Sequence, residues 1–153
     1  MHKIRVLVVD DEADFRETMV KRLTRRDIEA DEAESGEKAL EMIDKRLYDV
    51  IILDLKMEGM DGIAALREIK NVKPLIEVIL LTGHGSVESG IEGMKLGAFD
   101  YILKPANFDT LMEKITEAHG KKNAHEEKIR QAIVRDLSAH PSHVREIIKK
   151  EKK

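Results

Sequence analysis

Acidic side chains follow two separate apolar segments of the chain, at the point where each segment ends. Asp10 and Asp11 come directly after residues 4–9, and Asp54 comes directly after residues 50–53. If the two segments are neighbouring strands, the three carboxylates meet at one edge of a sheet. At roughly 5 Å and an effective dielectric constant of about 20, each pair repels by ~3 kcal/mol, which a cation or a proton must relieve. Oxygen-only ligands suit a hard metal ion such as Mg²⁺.

Short apolar runs alternate with longer amphipathic ones through residues 4 to about 119. They predict strands at 4–9, 28–33, 48–53, 76–81 and 99–103, of which the second is short, polar and at a sheet edge. Helices are predicted at 14–26, 35–47, 62–70, 86–96 and 107–119. Ser35, Ser86 and Asn107 are predicted N-caps, and Gly97 is a predicted C-cap. Five strand-then-helix units predict a doubly wound α/β sandwich, with a parallel sheet and helices on both faces.

This architecture predicts where chemistry takes place. Ligands bind outside the carboxyl ends of the strands, where the strand order reverses. The residues at or just after these predicted ends are Asp10, Asp11, Asp54, Thr82 and Lys104. A metal ion and a lysine neutralise phosphoryl oxygens, a hydroxyl donates a hydrogen bond, and an aspartate attacks. The set therefore favours phosphoryl transfer to a carboxylate.

Five motifs, in order and at matching spacing, resemble those of one family. They are Asp10-Asp11, Asp54 within Ile-Ile-Leu-Asp-Leu-Lys-Met, Asp61-Gly62, Thr82-Gly83-His84-Gly85, and residues 97–105 ending in Lys104-Pro105. Residues 4 to about 119 resemble the receiver domain of two-component response regulators. The resemblance implies a five-stranded (βα)5 flavodoxin-like fold with strand order 2-1-3-4-5.

The resemblance also implies a role for each site residue. Asp54 is the phosphoacceptor, and it takes a phosphoryl group from a sensor histidine kinase or a small phosphodonor. Mg²⁺, or Mn²⁺ in its place, is held by Asp11, Asp54 and the backbone carbonyl of Lys56, while Asp10 acts through water.

Further implied roles concern the phosphorylated state. Lys104 pairs with a phosphoryl oxygen, and Thr82 hydrogen-bonds another. Tyr101 is the switch aromatic, whose ring turns inward as the threonine moves. The Lys104-Pro105 peptide bond is expected to be cis, and Gly83 leaves space for the phosphodonor.

The chain departs from the family pattern in the loop after the third strand. Glu58 and Gly59 stand where many members have a proline, so we expect a more mobile loop with an added charge. Lys56 and His84 occupy the variable positions that, in the family, tune the lifetime of the phosphoryl group. His84 is expected to be a solvated loop residue rather than a catalytic group or a metal ligand.

Composition excludes several other classes. The 153 residues include no cysteine, which excludes disulfides, thiolate zinc sites and cysteine nucleophiles. No apolar stretch approaches the ~20 residues that span a bilayer, and no signal-peptide pattern precedes the first strand. We expect a soluble cytoplasmic protein without membrane contact.

The end of the chain differs in charge from the rest. Residues 121–153 hold 10 of the 27 Lys/Arg and 5 of the 30 Asp/Glu, so a basic tail follows an acidic body. Within residues 126–137, Ile129, Ile133 and Leu137 predict a helix with a narrow apolar stripe, before Pro141 interrupts it. We predict a receiver domain at 1–120 and a charged helical tail at 121–153, with no separate output domain. His140 and His143 have a metal-ligand spacing but lack a third ligand.

The favoured function is a receiver that signals by docking or dimerisation through the face around Tyr101. Its partners are a sensor histidine kinase and a downstream protein or second copy, and direct DNA binding is not expected. Two alternatives remain open: a receiver fragment of a larger transcription regulator with the tail as linker helix, and a phosphotransfer intermediate or phosphate sink. An aspartyl phosphatase is disfavoured because Lys56 stands where a second acid is needed. We therefore expect no enzyme, only Mg²⁺-dependent self-phosphorylation and self-dephosphorylation.

Overall fold

The computed structural model describes residues 2–83 and 87–139. The described residues fall into two compact units, one up to Lys122 and one from Asn123 onward. The strands are β1 (Arg5–Val9), β2 (Glu29–Ala33), β3 (Val50–Leu53), β4 (Glu77–Thr82) and β5 (Asp100–Leu103). The helices are α1 (Ala13–Arg25), α2 (Gly36–Lys45), α3 (Gly62–Val72), α4 (Val87–Lys95) and α5 (Phe108–Ala139). Among the described residues, none of these helices has the length and apolar character that crossing a membrane requires.

The five strands form one parallel sheet with the order β2-β1-β3-β4-β5. The predicted doubly wound fold and its strand order are therefore confirmed. The polar strand β2 lies at the edge, as expected. Its acidic residues Glu29, Asp31 and Glu32 each pair with an arginine from another segment, and charged side chains of this kind discourage pairing with further strands.

The core consists of two apolar layers, one on each face of the sheet. Side chains alternate between the faces along each strand, so successive residues of the inner strands join different layers. One layer packs strand residues against α2 and α3, through Leu7, Val9, Ile51, Leu53, Leu80, Ile43, Leu66 and Ile69. The other packs them against α1 and α5, through Val6, Val8, Ile52, Ile79, Leu81, Leu23, Leu111 and Ile115. Because both faces are covered, β3 is apolar throughout and β1 is apolar after Arg5, and only the strand ends are open to polar chemistry.

Local signals in the sequence account for most helix ends. Ser35 and Asn107 accept hydrogen bonds from the backbone N–H groups of Lys38 and Thr110, which confirms both predicted caps. Asp61 caps α3 in the same way. Gly97 follows α4 with φ +100°, a conformation that glycine adopts without strain. The predicted cap Ser86 lies outside the described residues.

The helix predicted over 107–119 and the tail helix predicted within 126–137 form one continuous helix, α5, which runs to Ala139 without the break near His119. Gly120 is the weak point in this segment, and a single glycine costs a helix only about 1 kcal/mol relative to alanine. Its neighbours are mostly strong helix formers, and they carry the helix through. Residues 140–153, including His140, Pro141 and His143, lie outside the described part. The absence of a separate output domain stays a prediction.

Two glycines of the first unit make a matched test of the packing. A Cβ added at Gly62 would overlap the Leu55 Cα and the carbonyl oxygen of Asp54, whereas one added at Gly120 meets nothing within 4 Å. We expect Gly62→Ala to lower the free energy of unfolding by about 1–3 kcal/mol. Gly120→Ala should raise it by about 1 kcal/mol. Urea unfolding followed by circular dichroism measures both, and equal effects of the two substitutions would contradict the packing described here.

Candidate functional site

Polar side chains are buried at one edge of an otherwise apolar sheet. Among the described residues the buried polar and charged side chains are Asp10, Asp54, Glu77 and Thr82. All except Glu77 lie at the carboxyl ends of strands. Val9 pairs with Leu53 across β1 and β3, which makes Asp10 and Asp54 neighbours just beyond the paired segment. The backbone N–H of Asp54 donates to the carbonyl of Val9 at 3.0 Å, so the same register holds both aspartates in place.

Lys104 places a positive charge between these two carboxylates. Its Nζ lies 2.6 Å from Asp10 Oδ2 and 3.9 Å from Asp54 Oδ2. The lysine follows β5 directly, and its backbone N–H donates to the carbonyl of Thr82 at 2.9 Å. The Lys104-Pro105 bond is cis, as the resemblance implied. Residues from the ends of β1, β3, β4 and β5 thus converge on one site.

Burial dominates the electrostatics of Asp10, whose side chain is 1% exposed. Desolvation raises the pKa of the Asp10 carboxyl above its usual range, and the nearby charge of Asp54 acts in the same direction. Hydrogen bonds from Lys104 and from the backbone N–H of Glu12 act in the opposite direction without cancelling the rise. The site therefore carries more negative charge than its surroundings favour.

Oxygen ligands for a cation gather beside this pair. Carboxylate oxygens of Asp10, Asp11 and Glu12 lie within 4.8 Å of one another. Glu12 is absent from the predicted set, although its position directly after the acidic pair is a signal that the sequence contains. Asp10 and Asp54 are both predicted site residues, and the pairing of Val9 with Leu53 makes them neighbours, although the described cluster of three carboxylates does not include Asp54. Asp10 is buried in this cluster, whereas Asp11 and Glu12 are exposed, and such an oxygen-only donor set fits a hard divalent ion such as Mg²⁺.

The loop after β3 is held at both ends. Leu55 and Met57 are buried, and the N–H of Lys56 donates to Asp54 Oδ1 at 3.3 Å. Further along, the Glu37 carboxylate accepts a hydrogen bond of 3.0 Å from the N–H of Met60. Hydrogen bonds lower the pKa of Glu37, and the bond from its own backbone N–H has the largest effect. The bonds from the Met60 N–H and from the Ser35 side chain act in the same direction. The predicted greater mobility of this loop stays a prediction.

Gly59 and Glu37 are adjacent in this loop contact. Gly59 has φ +79°, and a Cβ there would lie 3.2 Å from a carboxylate oxygen of Glu37. A glycine is therefore favoured on both conformational and steric grounds. Glu37 was not predicted as a site residue, because nothing in the first turn of α2 signals a contact with a loop 23 positions away.

Thr82 and Tyr101 belong to neighbouring strands and face the same side of the sheet. Tyr101 pairs with Leu80, and Thr82 follows Leu80 by two residues. Thr82 is fully buried. The Tyr101 ring packs on Gly90 of α4, with 3.2 Å between its Cδ1 and an added Cβ there, and its buried hydroxyl has no hydrogen-bond partner among the described residues. His84 and Gly85 lie outside the described residues, so the site is defined without them.

Comparison with known proteins identifies the family to which this chain is similar. A family model described as the response regulator receiver domain matches residues 6–116. The chain is 38% identical over 115 residues to the transcriptional regulatory protein ZraR of Escherichia coli strain K12, covering 75% of this chain and 26% of ZraR. It is 38% identical over 114 residues to a putative response regulator NtrX-like of Rickettsia bellii, covering 73% and 24%. The chain thus spans about a quarter of the length of these relatives.

Solved structures are similar over nearly their full length. A response regulator receiver domain protein from Clostridium thermocellum has a TM-score of 0.75 at 35% identity, covering 79% of this chain and 98% of that one. A CheY-like receiver domain protein from Methanospirillum hungatei has a TM-score of 0.78 at 27% identity, covering 81% and 99%.

The burial of Asp10 predicts a pH-dependent gain in stability on removing its charge. In EDTA at pH 7, Asp10→Asn should have a larger free energy of unfolding than the wild type, because the wild type keeps a buried carboxylate ionised. The penalty on the wild type is absent below the unfolded-state pKa of about 3.9 and grows as the pH rises through the higher folded-state pKa. The advantage of the variant should therefore shrink towards pH 4.

Urea unfolding at several pH values measures this difference. The control is Asp14→Asn, which changes an exposed acid in the first turn of α1. That substitution should give no gain, since a negative charge is favourable at a helix N-terminus. An Asp10→Asn difference that is independent of pH would contradict the electrostatic description.

Proposed function

The chain belongs to the response regulator receiver domain family, and from this premise we propose that Asp54 is its phosphoacceptor and a sensor histidine kinase its phosphodonor. A receiver domain of a two-component system is a signalling switch rather than a classical enzyme. The observation that supports the proposal is the constellation at the carboxyl edge, where Lys104 faces both Asp10 and Asp54 at 2.6 and 3.9 Å. A cytoplasmic location stays a prediction.

Asp54 is suited to nucleophilic attack because its carboxylate is held at the strand end and shielded from bulk water. One oxygen forms a bond to phosphorus while the bond from phosphorus to the donor's imidazole nitrogen breaks, and the nitrogen keeps the electron pair. Lys104 turns from Asp10 Oδ2 towards a phosphoryl oxygen, and Thr82 hydrogen-bonds another. Mg²⁺ held by Asp11, Asp54 and the Lys56 carbonyl, with Asp10 acting through water and Glu12 near, would supply positive charge to the phosphoryl oxygens. Hydrolysis of the acyl phosphate resets the switch.

An apolar surface on α4 is the proposed output face. This α4 surface is formed by Val87, Gly90, Ile91, Met94 and Tyr101. Val87, Ile91 and Met94 are 79%, 51% and 45% exposed, which is unusual for large apolar side chains grouped on one helix. Because the Tyr101 ring forms part of this surface and shares a sheet face with Thr82, movement at the phosphorylated site would alter the surface that a downstream protein or second copy meets.

A second candidate is a receiver from a larger transcription regulator. It is favoured by the relatives whose names describe transcriptional regulatory proteins, of which this chain spans about a quarter. The expectation that the protein makes no direct contact with DNA fits these relatives poorly. In the second unit, Ile129 of α5 is 47% exposed, and Ile133 and Leu137 follow it at i+4 and i+8 with their side chains only partly buried, a spacing suited to helix pairing in a linker.

Phosphoryl transfer can be tested with acetyl phosphate and Mg²⁺. The wild type should gain one phosphoryl group in intact-mass spectra, and Asp54→Asn should gain none. Lys104→Met should slow the gain on the order of 10²-fold, the cost of removing one positively placed donor from a transition state. Lys45→Met, at an exposed lysine of α2, is the matched control and should behave as the wild type. A wild type that accepts no group from acetyl phosphate or a histidine kinase would overturn the proposal.

The oligomeric state of the phosphorylated protein distinguishes the proposed output mechanisms. If the α4 surface mediates dimerisation, phosphorylated wild type should show a dimer in native mass spectra, and Ile91→Asp should lose it. Val72→Asp is the matched control, since Val72 at the end of α3 is about as exposed as Ile91, at 55% against 51%. Loss of the dimer in Ile133→Glu instead would favour the linker helix of a larger regulator. Phosphorylation without any change in association would favour partner docking or a phosphate sink.

A further inference from the structure

The Lys104 ammonium has a second neighbour besides the carboxylates. Its Nζ lies 3.8 Å from the centroid of the Phe15 ring, well inside the ~6 Å at which a cation and an aromatic face attract each other. Phe15 belongs to the first turn of α1, and Lys104 follows β5. We propose that Phe15 is a positioning residue for phosphoryl transfer, whose ring face holds the Lys104 ammonium at the site. The proposal rests on the proposed function, which gives Lys104 its role.

An aromatic ring suits this position because it attracts the ammonium without carrying charge. The face of the ring is negative through its quadrupole, and the attraction grows where water is excluded. The Lys104 side chain is 18% exposed, so its ammonium is only partly hydrated. A further carboxylate would also hold the lysine, but it would repel an incoming phosphoryl group. The ring has no such effect, and it does not compete for a divalent cation.

The need for a restraint follows from the space beside the lysine. A cavity of about 460 Å³ lies between α1 and the segment after β5, and both Phe15 and Lys104 line it. Lysine has a flexible four-carbon stem with many rotamers. When a cation occupies the carboxylates, the attraction between Asp10 and Lys104 weakens, and the stem gains freedom to turn into the cavity. The ring of Phe15 restrains it in that state as well.

Phe15 is itself firmly placed. Its side chain packs against the layer that contains Met19 and Leu23 of α1, and it is only partly exposed. Phe108 offers a matched comparison within the same chain. The Cζ atoms of Arg22 and Arg26 lie 4.2 and 5.6 Å from the centroid of the Phe108 ring. Phe108 and these two arginines have no role in the proposed phosphoryl transfer.

Fluorinated phenylalanines at position 15 test the proposal in the full chain. Each added fluorine weakens the negative face of the ring with little change in shape. With acetyl phosphate and Mg²⁺, the phosphorylation rate constant should fall stepwise from phenylalanine to trifluorophenylalanine, by about tenfold in total. The same series at Phe108 should leave the rate unchanged. In Lys104→Met the series at position 15 should be flat, and the Mg²⁺ affinity should not follow the number of fluorines.

A second readout does not depend on phosphorylation. The ε-methylene protons of Lys104 should show an upfield NMR shift from the ring current of Phe15, and Phe15→Leu should abolish it. A flat fluorine series at position 15, or an absent upfield shift in the wild type, would overturn the proposal while leaving the proposed function standing. Failure of the wild type to gain any phosphoryl group would overturn the proposed function and this proposal with it.

Discussion

The burial of two carboxylates at neighbouring strand ends is the constraint on which the rest of the structure depends. Asp10 and Asp54 are 1% and 2% exposed, and their mutual repulsion is answered within the described residues by the Lys104 ammonium. A buried cluster of two carboxylates and one ammonium is costly to desolvate and gives little net stability. The cluster is held by the well-packed apolar strands that carry it, and its excess negative charge favours the binding of a cation.

The sheet satisfies that constraint through register. The pairing of Val9 with Leu53 makes the two aspartates neighbours, and the pairing of Thr82 with Leu103 brings Lys104 to the same edge. Contacts outside the sheet hold the loop after β3 in position. Glu37 of α2 holds the loop that follows Asp54, and Gly62 packs where any side chain would strike the backbone of that loop. Residues outside the sheet edge thus help to set the geometry of the loop at Asp54.

Much of this arrangement follows from sequence because parallel sheets place strand ends together. Asp10, Asp54, Thr82 and Lys104 were each predicted at the carboxyl edge, and each lies there. Contacts that depend on the packing of helices against loops were not predicted. Glu37 and Phe15 carry no local signal of the partners they meet. The helices predicted over 107–119 and within 126–137 are continuous in the structure, since one glycine is a weak helix breaker among strong helix formers.

The chemical identity of the modified residue decides whether Asp54 is the phosphoacceptor. The protein would be treated with acetyl phosphate and Mg²⁺, reduced with borohydride to trap any aspartyl phosphate, and digested for peptide mass spectrometry. The constellation of Asp10, Asp54 and Lys104 predicts one reduced residue, Asp54, and none when EDTA replaces Mg²⁺. A reduced residue at Asp10 or Asp11, or none at all in the presence of Mg²⁺, would contradict the assignment.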